Sequence, residues 1–413
     1  PLAWVKLFHP LDPWRRDILE PFASRWSSLM QSFVLSAVPR IEFGPGSLAR
    51  ISEAVSGLAG EGATVLLVAD PALAGAGIIA RTLDYLQHGG HPAGLFDGFA
   101  GEPKSSTIEA AAALARKGDA RCIIGLGGGT TLDTAKIAAA CAVSRAPAET
   151  YELCRTPLPS ETLPVIAIPT TAGTGSEVTS TSVFTNTVGA KVWAWGAELK
   201  PHLALLDPEL SLTVPPPVTA ATGLDALVHA VEACTNRRRN DVTDLYCHRA
   251  ISLITANLGR AIQDGADIEA RGAMLLGSCF AGIGIENCGT ALAHNISHAL
   301  AALAPVPHGR ATGLAMFATI DWVAASAPEN FAKVAAAMGE REEAAAAVEA
   351  FKRLVRSTRI KISLEGDGLE LNRPDKLAEK MAAPENAPML NATVRPIGKD
   401  DLLGLAQRVY ALR

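Results

Sequence analysis

The chain changes character once, and that change limits what it can fold into. Up to about Asp207, short apolar runs alternate with helical stretches; after Pro215-Pro216-Pro217 strand signal almost disappears. In the first part, 33–38, 40–43, 64–69, 94–99, 121–126 and 163–168 read as strands, and 105–117 and 132–143 as helices. Such alternation predicts a parallel sheet covered by helices on both faces. In the second part, helices are predicted at 218–234, 241–263, 270–285, 290–303 and 309–324. The expectation is an α/β domain at 32–210 and an all-α domain at 211–413, with the proline triplet as a stiff connector. Residues 1–31, where Trp4, Trp14 and Trp26 are mixed with charges of both signs, read as an extension of unknown role.

Composition narrows the function classes. With 48% apolar and 19% charged residues the chain is globular, not disordered. The formal charge of -5 and dispersed basic residues give no nucleic-acid footprint, and Arg237-Arg238-Arg239 reads as a solvated loop. The seven cysteines contain no C-x-x-C pair and read as buried, reduced thiols, which points to the cytoplasm. No uninterrupted apolar run reaches the ~18 residues of a membrane span, and the first residues lack the apolar core of a secretory signal.

Two loops carry phosphate-binding chemistry. Gly127-Gly128-Gly129-Thr130-Thr131 follows a strand and precedes a helix. Glycines let backbone N–H groups approach a pyrophosphate, and the helix N-terminus adds partial positive charge. The spacing is not the G-x-G-x-x-G of a Rossmann fingerprint. Pro169-Thr170-Thr171-Ala172-Gly173-Thr174-Gly175-Ser176-Glu177 also follows a strand. Two such loops at the carboxyl ends of parallel strands fit a ligand in the crevice there. Asp70, ending an earlier strand, has two readings: a ribose acceptor that favours NAD over NADP, or a cap of the turn before Pro71.

The helical part holds a second constellation. Asp225 and His229 are spaced i, i+4 and share a helix face; His294 and His298 repeat that spacing. His308 follows Pro305 and Pro307, which should end the helix and turn the chain back. All lie in small or apolar surroundings, where an unpaired carboxylate is costly. A divalent cation held by three histidines and a carboxylate answers that cost. A single buried histidine is more often a satisfied core residue; several candidates on apolar segments weaken that reading.

The combined motifs resemble one family. Gly127 to Lys136, the Pro169 loop, Asp207-Pro208, Gly223 to Glu232, and His294-(x3)-His298-(x9)-His308-Gly309 are similar, in order, to the motifs of the iron-containing (group III) alcohol dehydrogenases. The resemblance implies a dehydroquinate synthase-like architecture with the active site in the cleft between the domains. It implies a divalent metal, Fe2+ or Zn2+, on Asp225, His229, His294 and His308, with His298 beside it but outside the main ligands; one turn from His294, His298 is the expected catalytic proton relay. It implies NAD, with NADP as the variant, lined by Asp70, Gly128, Gly129, Thr130, Asp133, Thr170, Thr171, Val183 and Lys191. A small alcohol or aldehyde substrate and a homodimer follow from the same likeness. Thr130 replaces the family's usual serine, and Glu102-Pro103-Lys104 stands where Pro-Asn-Pro is common. Two alternatives remain at this point: a metal-dependent cyclase of the dehydroquinate synthase type, which returns its NAD unchanged, and a binding protein without turnover.

Overall fold

A computed structural model describes residues 32–99 and 101–412; the extension read at 1–31 lies outside the described residues. Among the described residues eight strands form: β1 (Arg40–Phe43), β2 (Val65–Ala69), β3 (Ala93–Phe96), β4 (Cys122–Gly127), β5 (Val165–Pro169), β6 (Thr181–Thr185), β7 (Lys191–Trp195) and β8 (Leu203–Leu206). Six make one parallel sheet in the order β1-β8-β5-β4-β2-β3, while β6 and β7 pair antiparallel. The central strands β2, β4 and β5 are buried throughout, which explains their unbroken apolar sequences. Helices α1 (Ile51–Ala59), α2 (Ile78–His88), α3 (Ser105–Lys117) and α4 (Gly129–Ser144) connect the strands. One apolar cluster packs α3 and α4 on one face of the sheet, and another packs α1 and α2 on the other.

The strand order reverses in a place that matters. From β2 the chain steps outward to β3, then returns to β4 on the other side of β2 and continues toward β5 and β8. The carboxyl ends of β2 and β4 therefore flank a topological switch point, where open α/β sheets bind ligands. Asp70 lies at one of these ends and Gly127 to Thr130 at the other.

Beyond β8 the chain is helical. The long helices are α5 (Pro216–Thr235), α6 (Asp241–Gln263), α7 (Ile268–Cys288), α8 (Leu292–Ala301) and α9 (His308–Ala324). They are followed by α10 (Pro328–Ala337), α11 (Ala344–Ser357), α12 (Pro374–Met381), α13 (Ala387–Ala392) and α14 (Lys399–Tyr410). Local chemistry sets several starts. Asn240 accepts from the N–H groups of Val242 and Thr243 to cap α6, and Asp267 accepts from Ala270 to cap α7. By length and composition α7 could cross a membrane, but 67% of its apolar window is buried, and it packs on α5 and α6. Buried Asp207 accepts from Gly46, Leu48 and Glu209, tying the turn after β1 to the end of β8.

Two expectations need correction, the strand at 33–38 and the burial of every thiol, and two elements, the β6–β7 hairpin and β8, have no counterpart in the sequence reading. Residues 33–38 form no strand; Phe33, Val34, Leu35 and Val38 are exposed, so alternation there has no core face to bury. The β6–β7 hairpin went unread, although Thr181 to Thr185 is rich in β-branched residues and Gly189 supplies the positive φ of its turn. Strand β8, Leu-Ala-Leu-Leu, has neither alternation nor β-branching to mark it. Of the seven thiols, Cys154 is exposed and the other six are buried.

Candidate metal centre and nucleotide cleft

Asp225 and His229 project from one face of α5, and His294 from α8; all three are at most 5% exposed. Their ligand atoms lie within 4.8 Å of one another. The chain then turns back through 302–307, and α9 begins at His308, whose Nε2 is 3.6 Å from Asp225 Oδ1. Gly309 makes that return possible: a Cβ there would sit 2.3 Å from the carbonyl oxygen of Ala221 and 3.3 Å from Asp225 Cβ. Only a glycine lets α9 press so closely on α5.

Each histidine in this cluster has its orientation set by a second bond. His294 Nδ1 donates to Glu232 Oε2 at 2.6 Å. His229 Nδ1 donates to the carbonyl of Gly173 at 3.2 Å. Carboxylate and carbonyl oxygens only accept, so both Nδ1 atoms carry a proton, and Nε2 is the nitrogen each ring can offer to a cation. Ser297 Oγ lies 3.0 Å from His308 Nδ1 and donates its own proton to His308 O at 3.3 Å, leaving a lone pair for the ring N–H. Such outer partners fix the tautomer of a metal-binding imidazole. Glu232, a further turn along α5 and also accepting from the N–H groups of Ala291 and Ala293, was missed from sequence. Its position three residues after His229 on an apolar helix was the available signal.

The donor set fits a divalent cation. Asp225 Oδ1 and His294 Nε2 are buried without a hydrogen-bond partner, 3.6 Å apart. Two ligands ~2.1 Å from one ion at a tetrahedral angle stand ~3.4 Å apart. Burial alone would raise the Asp225 carboxyl, but His229, His308 and His294 outweigh it and hold the group well below the ordinary range, ionised. Burial pushes His229 down to about 4 and His308 to about 3, so both are neutral at pH 7 and able to ligate. For His294 burial works downward too, but Glu232 and Asp225 prevail and push it up to about 9. His298 is half-buried one turn after His294, its ring 5.5 Å from that of His308. Burial, then nearby Lys191, hold it well below its usual value.

The nucleotide candidates gather around the switch point. A Cβ on Gly127 would lie 3.0 Å from Asp70 Cβ, one on Gly128 3.2 Å from Thr171 Oγ1, and one on Gly129 2.6 Å from Thr174 Cγ2. The two loops are thus in contact, and Thr170 N donates to Gly127 O at 3.0 Å. No side chain caps the start of α4, so the N–H groups of Gly129 and Thr130 point out of the helix. Asp70 caps the turn at Pro71, with Oδ1 accepting from Ala72 N at 3.0 Å. The capping reading is realised, and the residue still borders the glycine loop. Asp133 accepts from Ser176 Oγ at 2.5 Å and from Val183 N at 3.0 Å. Lys191 pairs with Glu102 at 2.9 Å and faces His298 and His308 closely enough to depress both. Lys104 is exposed just before α3.

Comparison with known proteins gives this arrangement its relatives. Residues 39–208 match the profile of the iron-containing alcohol dehydrogenases, and 219–410 that of the C-terminal region of the same family. The chain belongs to the iron-containing alcohol dehydrogenase family. It is 33% identical over 348 residues to long-chain-alcohol dehydrogenase 1 of Geobacillus thermodenitrificans, covering 81% of this chain and 88% of that one. The fold is similar to a crystal structure of 1,3-propanediol oxidoreductase, with TM-score 0.85, 30% identity, and 92% and 100% of the two chains covered. Sulfoacetaldehyde reductase from Bifidobacterium kashiwanohense, solved in complex with NAD+, gives TM-score 0.84 at 26% identity, with the same coverage. Membership makes the chain an oxidoreductase of alcohols and aldehydes that works with iron and a nicotinamide cofactor.

Proposed function

We propose that this protein interconverts a small alcohol and its aldehyde in the cleft between an α/β half (32–210) and a helical half (211–413), with Asp225, His229, His294 and His308 holding one Fe2+, for which Zn2+ can substitute. The observation that carries the reading is the pair of unpartnered buried atoms, Asp225 Oδ1 and His294 Nε2, facing each other inside a ring of oriented imidazoles. Bound there, the ion would supply Lewis acidity toward a substrate oxygen, and a nicotinamide in the neighbouring cleft would supply hydride chemistry.

The chain's own residues do the rest. The open first turn of α4, with Gly128, Gly129 and Thr130, suits a pyrophosphate. Thr170 and Thr171 border it, and Asp70 at the end of β2 accepts from a ribose and disfavours a 2′-phosphate. Asp133 ties the second loop to α4 through Ser176 Oγ and β6 to α4 through Val183 N, and Lys191 sets a positive charge beside the cleft. Neutral His298 accepts the proton that leaves during alcohol oxidation and returns it during reduction. On this reading the protein works in the cytoplasm as a homodimer and needs neither nucleic acid nor membrane.

The test is NADH absorbance with a panel of alcohols and aldehydes after anaerobic loading with Fe2+ or Zn2+. Net NADH formation from an alcohol supports the reading. Metal-loaded protein that binds NAD but never reduces it, with any alcohol, contradicts it.

A further inference from the structure

Lys136 is a fully buried charged side chain in the nucleotide half, and nothing in the proposed chemistry uses it. It projects from α4 with 0% exposure. Its ammonium donates to Ser176 O at 3.1 Å, Thr179 O at 3.3 Å, Thr179 Oγ1 at 3.4 Å, and Thr181 O. Asp133 Oδ1 lies 3.2 Å away and balances the charge. An ammonium removed from water is tolerated only where donors and charge are both answered. Here the answers come from Ser176 in the second glycine loop, from Thr179 just after it, from Thr181 at the start of β6, and from Asp133. Asp133 reinforces the tie by accepting from Ser176 Oγ and Val183 N, while its own carbonyl accepts from Ser182 Oγ.

The same loop reaches the metal centre. Three residues before Ser176, the carbonyl of Gly173 accepts from His229 Nδ1. A Cβ on Gly173 would lie 2.8 Å from Thr222 Cβ on α5, so the loop backbone is seated on the helix that carries Asp225 and His229. One short segment is thus fastened to α4 at one end and to a candidate metal ligand near the other.

We propose that Lys136 is a positioning residue that holds the second glycine loop between the nucleotide cleft and His229, and that through this loop metal and NAD binding reinforce each other. The inference rests on the metal and nucleotide sites proposed above. Ligation at His229 Nε2 would clamp the ring in the orientation whose Nδ1–H already donates to Gly173, and so steady the loop that also meets Gly128 and Gly129. A ligand that finds the loop already ordered loses less conformational freedom on binding, and the coupling is reciprocal.

The experiment is a fluorescence titration of NADH into metal-free and Zn2+-loaded full-length protein, for wild type, Lys136→Met and Ser176→Ala. In wild type, metal should tighten NADH binding about fivefold or more. In Lys136→Met, NADH binding to metal-free protein should weaken about tenfold, and the metal effect should fall toward one. Ser176→Ala removes one tie without stranding a buried charge, so it serves if Lys136→Met does not fold; it should weaken NADH binding and shrink the metal effect in the same direction. A folded Lys136→Met protein with wild-type NADH affinity and an undiminished metal effect overturns the inference, as does wild-type behaviour of Ser176→Ala when Lys136→Met is unfolded. Wild-type protein that binds no NADH overturns the proposed nucleotide site itself.

Discussion

Glu232 Oε2 accepts a hydrogen bond from His294 Nδ1 at 2.6 Å, and this bond turns His294 Nε2 toward Asp225. The carboxylate both selects the tautomer and strengthens the imidazole as a ligand. Glu232→Gln keeps one accepting oxygen in place of two, so it can serve Ala293 or the Ala291 and His294 pair but not both, and it loses the charge. Metal affinity, read by competition with a chromophoric chelator, should fall about 10- to 100-fold. Unchanged affinity would show that Glu232 is a helix-terminus acceptor and nothing more.

Gly309 brings His308 to the other ligands. In Gly309→Ala the new methyl meets the Ala221 carbonyl, a backbone atom that cannot swing aside. The start of α9 has to lift from α5 and carry His308 with it. Urea denaturation should show a loss of about 1–3 kcal/mol, and metal affinity should fall with it. A variant that loses stability but keeps wild-type metal affinity would remove His308 from the shell.

The large divisions of this fold were legible because they rest on periodicity. The buried parallel strands read as apolar runs, and α3 and α6 fall at 105–117 and 241–263 as expected. The site was legible where chemistry is local: Asp225 and His229 announce a shared helix face by spacing alone. Convergence of α5, α8 and α9 was not, since it depends on Gly309 and on the return through 302–307, and pairings of that kind leave no periodic trace. Glu232, Ser297 and Lys136 escaped for a related reason. Their roles lie in what they touch 11 to 62 residues away, and a glutamate or lysine on a helix ordinarily reads as solvated.

Glu177, 2% exposed in the second glycine loop, gives a pH signature. Burial pushes its carboxyl up from 4.5 to about 7, against the opposing effects of its own backbone N–H and Lys136. The folded protein therefore keeps a proton that the unfolded chain has lost between about pH 4.5 and 7. Stability from this group is full below that window and lost as pH rises through it. Urea midpoints of Glu177→Gln, compared with wild type, should draw progressively ahead from pH 4.5 to 7 and stay ahead above it. Parallel curves across the window would contradict the assignment.

His298 should separate chemistry from metal binding. His298→Ala should keep its metal, lose on the order of 100-fold in kcat, and change its pH–rate profile. A profile identical to wild type would take His298 out of the proton path.

The account stands on one ion shared by residues from three helices, and iron content tests it most directly. Wild-type protein reconstituted anaerobically with Fe2+ and desalted should hold one iron per chain by elemental analysis. Asp225→Asn and the double variant His229→Ala/His294→Ala, folded by circular dichroism, should hold almost none. A full equivalent of iron in that double variant would place the metal elsewhere and contradict the account.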